Sequence, residues 1–444
     1  MALSVGRQSV RSALLLRQNR WFVWLVKSAF AIGEQGMIAG SNFLLNVLVA
    51  RWLTPEEYGG YAVAFAIYIL FISFYQALVL EPMSVLSASL DEQRFRAYLG
   101  SMLRVQARLS GVLIASLMLV VLGVFTIHGH NYLAWTLIAL LLSLPPILLF
   151  FFLRVACYVR HRPQDATQGA FIYSCVMLAG LVVIRHWFEI SGSMVFIAMG
   201  VSAVAVSCLL LKRLRPIFRS DLSDKEQWIE HWQFGRWELS AVGFNWISQN
   251  ISYTLTAGFL GMAQVGAVKA IMTLFLPLTQ SMSALRRLLL PHLASTSDRN
   301  GNRGAANSVW TIVVIYLLGA LVYGIAVSVA AKPLFRLLYG GKFMEYSYLV
   351  SWAAVAPLFG LPGHVIDMGL RAIRSPKSIF VASCLSAVAC ICITVPLTWA
   401  FTIRGAIASI VISSAILLVI ITVIFRRKSR MSVEEEVESA PLSA

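Results

Sequence analysis

Apolar residues run along this 444-residue chain in long stretches separated by short polar ones, with few polar side chains inside each stretch. The stretches lack the two-residue alternation of a membrane barrel strand, so each reads as a helix that satisfies its own backbone in lipid. Twelve spans are predicted, at 28–49, 59–80, 105–127, 132–153, 169–187, 193–211, 237–260, 266–290, 309–330, 346–368, 378–401 and 405–425. Each holds about 20 residues, enough to cross a hydrocarbon core of roughly 30 Å. The predicted fold class is all-α, a polytopic membrane protein.

The two halves of this pattern repeat in the same orientation. A shift of 217 residues lays Trp135 on Trp352, Pro145 on Pro362, Arg154 on Arg371 and Arg160 on Lys377. Nearer the start of each half the shift is 207, laying Ser41 and Asn42 on Ser248 and Gln249, and Gly59 on Gly266. Two six-helix lobes follow, 28–211 and 237–425, related by an axis along the membrane normal, as in transporters that rock about a central cavity. The linker 212–236 places Trp228, Ile229, Trp232 and Phe234 among Lys225, Glu226 and Glu230, which suits a helix lying at the interface.

Composition agrees with membrane residence: 59% of residues are hydrophobic and 13% charged, with a mean hydropathy of +0.77. Charge adds orientation. Of the 36 Lys and Arg, 29 fall on the side of both termini and six on the other, namely Arg51, Arg185, Lys332, Arg336, Lys342 and Arg404; Lys269 lies inside a span. This asymmetry predicts cytoplasmic termini. The net charge of +16 then points to anionic membrane lipids as partners, and nucleic acid is not implied. Residues 1–27, with Arg7, Arg11, Arg17, Arg20 and Lys27, read as a basic segment on the cytoplasmic face, a pattern shared with organelle-targeting segments. The tail 426–444, with Glu434, Glu435, Glu436 and Glu438, reads as disordered. The six cysteines lie almost all in spans and pack as small hydrophobes, and His128 with His130 makes a poor metal site, so no metal is expected.

Ionisable groups in spans are costly and point to function. Glu34 lies about 9 Å inside the first span, at about 1.5 Å per residue; Lys269 and Asp367 lie nearer span ends, where reaching back to the interface is the plainer reading for Asp367 and stands level with a functional one for Lys269. Gln35, Asn42 and Asn46 share one face of the first span, and Asn245, Gln249, Ser252 and Thr256 one face of the seventh. Such faces either hold helices together or line a hydrated cavity, and their equivalent places in the repeat favour the cavity. Pro145, Pro277, Pro357 and Pro362 are candidate helix breaks for gating. No phosphate-binding Gly-Lys-Ser/Thr loop is present, which excludes ATP as the direct energy source, and no large aqueous loop exists to house a glycosyltransferase.

Three stretches resemble the polysaccharide-transporter branch of the multidrug/oligosaccharidyl-lipid/polysaccharide superfamily. LVARWLTPEEYGGYAVA, from Leu48, is similar to its first-loop signature through Ala50, Arg51, Leu53, Pro55, Gly59, Tyr61 and Ala62; VGAVKAIMTLFLPL from Val265 is its counterpart in the repeat. LYGGKFMEYSYLVSWAAVAP from Leu338, with GLRAIRSPK from Gly369, is similar to that branch around the tenth span. The resemblance implies a two-lobed flippase that moves lipid-linked oligosaccharide outward across a bacterial inner membrane, with the first, second, seventh and eighth helices lining the cavity. It also implies Lys269 or Arg51 as the group meeting the lipid's pyrophosphate, Glu34 as carrier of a coupling H+ or Na+, and polysaccharide polymerase or export machinery as partners. A cation-coupled multidrug exporter of the same superfamily is the alternative, and a membrane enzyme of polysaccharide assembly a third reading.

Overall fold

The computed structural model describes residues 33–87, 90–128, 132–218, 223–373 and 375–438. The basic segment 1–27, the start of the first span, His130 and the side chain of His128 lie outside that description. Among the described residues all regular structure is helical. Helix α1 covers 33–52, α2 Pro55–Leu86, α3 Glu92–His128, α4 Tyr132–Val159, α5 Pro163–Trp187 and α6 Gly192–Leu214. The second half holds α7 Asp224–Leu260, α8 Met262–Thr273, α9 Leu276–Val329, α10 Ala331–Tyr339, α11 Val355–Ala372 and α12 Pro376–Glu438.

Among the described residues seven helices are long and apolar enough to cross a membrane, or nine if two bent pairs are each one span. One of the seven, within α12, is two legs: Thr402 leaves the helical region at φ 52°, ψ −135°, and a Cβ on Gly405 would fall 1.8 Å from the Leu397 carbonyl oxygen, so the chain reverses there. With the more polar α1 and α7 as the first and seventh spans, every predicted span falls on helix in its described part.

Local sequence explains the joints. Thr54 caps α2 and Glu57 reaches back to the Thr54 N–H at 3.1 Å, closing a capping box with Pro55 in the first turn. The eighth span bends by 56° between α8 and α9, next to Pro277. The tenth bends by 42° at Ala354, ahead of Pro357. Pro145 and Pro362, expected as breaks, sit inside unbroken helices. One missing N–H is a loss a packed membrane helix absorbs, whereas Pro277 stands in the first turn of a new helix and costs it no hydrogen bond.

Two further expectations are corrected. The linker helix is not separate from the seventh span, because α7 runs unbroken from Asp224 to Leu260 with Ser223 as its cap. The tail, expected to be disordered from 426, continues α12 as helix to Glu438; no Gly or Pro interrupts 426–438, and Lys, Arg and Glu are good helix formers.

The two lobes, α1–α6 and α7–α12, share their main hydrophobic core at one end, and α7 also packs along the first lobe, where Trp246 Nε1 donates to the Ala66 carbonyl at 2.7 Å. The larger core joins the first lobe to Val265–Phe275, Val327–Ala354 and Ile403–Ile407 of the second. The opposite part of the second lobe, from Met282 to Phe425, has a core of its own. The joined end carries the Leu48 and Leu338 motifs and is called the motif end; the other carries most of the cations and is called the basic end.

Candidate functional site

At the motif end α2 crosses α8 with backbone almost on backbone. A Cβ on Gly59 would fall 1.8 Å from the Met262 carbonyl oxygen, and one on Gly266 would fall 2.5 Å from that of Pro55. The 207-residue shift that pairs Gly59 with Gly266 also pairs Pro55 with Met262, so these are one contact made twice about a local two-fold axis. Both positions need glycine because no side chain fits the crossing. Around it, Lys342 donates from Nζ to the Arg51 and Leu53 carbonyl oxygens at 2.9 and 2.6 Å. Arg51 donates to the Leu337 carbonyl at 3.2 Å, and Tyr58 lies 3.4 Å from Thr273 Oγ1. Burial lowers the pKa of Lys342, opposed by nearby Glu57. The stretches beginning at Leu48, Val265 and Leu338, up to some 290 residues apart in sequence, thus converge on a single seam between lobes, while the Gly369 stretch lies elsewhere.

Lys269 lies one helical turn from that seam, on α8. It is 9% exposed. Its Nζ sits 4.5 Å over the Phe65 ring of α2 and 5.8 Å over the Tyr253 ring of α7, and among the described residues no carboxylate pairs with it. Aromatic faces attract a cation but satisfy none of its three hydrogen-bond donors. The polar face of α7 leads toward this point: Asn245 and Gln249 are exposed and hydrogen-bonded to each other at 3.0 Å, while Ser252 and Thr256 are buried. On α1, Gln35 and Asn42 are half-buried and Asn46 is buried with its amide on the Asn42 carbonyl at 2.8 Å. Both faces become less exposed toward the motif end.

Glu34 belongs to a different place. It is fully buried inside the first lobe. Arg154 Nε lies 3.1 Å from one carboxylate oxygen and Tyr158 donates to the other at 2.8 Å. The guanidinium also stacks 5.0 Å from the Phe151 ring. In the second lobe Arg371 binds Glu238 through both terminal nitrogens, at 3.2 and 3.1 Å, and Asp367 through Nε at 3.0 Å. The repeat equates Arg154 with Arg371, and Glu238 stands about one helical turn before the position equivalent to Glu34. Each lobe therefore carries a guanidinium–carboxylate pair between its first and fourth spans. Reading single residues misses Arg154 and Glu238; the 217-residue shift was the signal for the arginines.

The foot of α7 docks on the first lobe. Pro82 has no N–H for the Leu78 carbonyl four residues earlier, and a π-turn at Gln76–Leu80 precedes it. His231 Nδ1 supplies that hydrogen bond at 3.1 Å. Nδ1 then carries the proton, so Nε2 accepts from the Tyr98 hydroxyl at 2.6 Å. Burial pushes the His231 pKa down to about 4. Among the described residues no group of three His, Cys, Asp or Glu is placed to hold a metal ion.

A family described as polysaccharide biosynthesis protein matches residues 48–348. No curated protein matches the chain in sequence. Among solved structures, the chain is similar to an inward-facing multidrug resistance MATE family transporter of the MOP superfamily, with a TM-score of 0.73 and 12% identity over 91% of this chain and 96% of that one. It is also similar to the lipid II flippase MurJ in an inward closed conformation, with a TM-score of 0.68 and 14% identity over 92% and 91% of the two chains. An outward-facing MATE family transporter gives a TM-score of 0.65 and 12% identity over 94% and 96%. At these identities the likeness is one of fold, the two-lobed membrane transporter.

Proposed function

The chain belongs to the polysaccharide biosynthesis protein family, and from that premise we propose that it is a flippase for polyprenyl-pyrophosphate-linked oligosaccharide repeat units of an exopolysaccharide or O-antigen. The basic end faces the cytoplasm of a bacterium and the motif end faces outward. The observation that supports the reading is Lys269, a buried cation between the lobes that lies over two aromatic rings and pairs with no carboxylate among the described residues, beyond the buried ends of two polar faces. Such a site keeps its hydrogen-bond donors for an anion that arrives with the cargo. A pyrophosphate fits the charge, and the sugar fits the amides of Asn245, Gln249, Asn42 and Gln35 on the way in. The lipid tail stays in the bilayer.

Opening the seam at Gly59 and Gly266 while the basic end closes would release the sugar on the far side, in an alternating-access cycle. Glu34 stays the proposed carrier of a coupling H+ or Na+. Taking up a proton there would leave Arg154 facing a neutral partner and loosen the first lobe's own pair.

The test is binding of a polyprenyl pyrophosphate to the purified full chain in lipid nanodiscs. A charge-assisted hydrogen bond is worth about 1.5–3 kcal/mol, so Lys269→Met is expected to weaken binding roughly 10- to 100-fold, with Lys269→Arg close to wild type. Equal affinity in Lys269→Met and wild type would remove Lys269 from the site.

A further inference from the structure

A crevice lies on the first lobe beside the foot of α7. Leu103, Arg104 and Ala107 of α3, Leu211 and Lys212 at the end of α6, and Pro216 and Phe218 beyond it line an open crevice of about 620 Å³. The segment after α6 is tied to α3: the Ile217 N–H donates to the Arg96 carbonyl at 2.8 Å, and Arg96 Nε donates to the Arg215 carbonyl at 2.6 Å. The walls are apolar and the charges are positive. Arg104 forms a two-nitrogen pair with Asp224 at the start of α7, at 2.7 and 3.0 Å, and Arg108 reaches the same carboxylate at 3.1 Å while staying 70% exposed. The hydrogen bond from Arg104 holds the Asp224 pKa below its usual value. Asp224 thus meets two arginines, and the exposed Arg108 and Lys212 present positive charge at the surface.

The predicted spans 105–127 and 193–211 end beside these residues, which puts the crevice at headgroup depth of the leaflet on the basic end. A ligand here needs an apolar body and an anionic head at the water boundary. A peptide would bring unpaired backbone groups against apolar walls, and the chain's own basic segment 1–27 has the wrong sign. We propose that the crevice binds an anionic phospholipid, its phosphate against Arg104, Arg108 and Lys212 and an acyl chain along Leu103, Ala107 and Leu211. Because Asp224 begins α7, the lipid would brace the joint between the lobes.

The test uses the purified full chain exchanged with equal amounts of phosphatidylglycerol and phosphatidylcholine of the same acyl chains, with retained lipid measured by native mass spectrometry. Phosphatidylglycerol is expected to be retained in preference. Arg108→Gln with Lys212→Gln is expected to cut its retention roughly tenfold; Ala107→Trp, which fills the apolar wall and keeps every charge, is expected to do the same. Millimolar inorganic phosphate, lacking an acyl chain, is expected not to compete. Equal retention of the two lipids by the wild type would overturn the proposal, as would wild-type retention in both variants or displacement by phosphate. The wild-type preference needs no variant, so misfolding of a variant does not shelter the idea.

Discussion

Glu34 is held by Arg154 on one oxygen and Tyr158 on the other, so its charge is cancelled within its own lobe. Among the described residues Lys269 meets aromatic faces and no carboxylate. The first arrangement stores a pair that is costly to break, at about 3–5 kcal/mol when one partner of a buried pair is removed. Glu34→Gln is therefore expected to lower thermal stability, and the double variant Glu34→Gln with Arg154→Gln to recover part of it. If Glu34 carries the coupling ion, surface polysaccharide stays lost in the double variant; its return there would make the pair purely structural. His231 gives a pH prediction. It is neutral in the folded chain and protonated when released, so between pH 6.5 and about 4 the unfolded form binds more protons. Stability of the docked α7 foot should fall as pH drops through that window, by roughly 3 kcal/mol at most. Hydrogen exchange at 228–235 reads this, and His231→Gln should flatten the dependence; an unchanged slope would contradict the account. At this scale the sequence makes the depth of Glu34 visible but not its partner, because 120 residues separate it from Arg154 and only the fold brings them together.

At the scale of elements, breaks follow proline only where a helix can restart. Pro277 and Pro357 each stand in the first turn of a new helix, so those two bends could be anticipated. Pro145 and Pro362 lie mid-helix, and neighbouring helices hold those turns together. The crossing of α2 and α8 was half visible: Gly59 and Gly266 stood out as repeat mates, while their contact with Met262 and Pro55 needed the folded chain. Lys342 ties this crossing shut through two carbonyls that its removal leaves without that donor. Lys342→Met is expected to shift the population toward a state open at the motif end, by roughly tenfold if one charged hydrogen bond's worth of stability is lost. Spin labels at exposed Trp187 and Leu337, one on each lobe, should then report longer distances. An unaltered distance distribution would show that the seam holds without Lys342.

At the scale of the whole molecule, the all-helical, two-lobed plan was legible because lipid leaves the backbone few options and the repeat doubles every clue. What hydropathy does not encode is how the lobes meet: fused at the motif end, with a separate core at the basic end of the second lobe. That asymmetry is compatible with the proposed cycle, in which the seam at the motif end would have to open. The most direct test is the leaflet position of lipid-linked oligosaccharide in cells lacking this protein, read by a sugar-oxidising reagent that cannot cross the membrane. The account predicts accumulation on the cytoplasmic leaflet with loss of surface polysaccharide, both reversed by the wild-type chain. Lipid-linked oligosaccharide still reaching the outer leaflet, in cells with no other transporter of this kind, would contradict it.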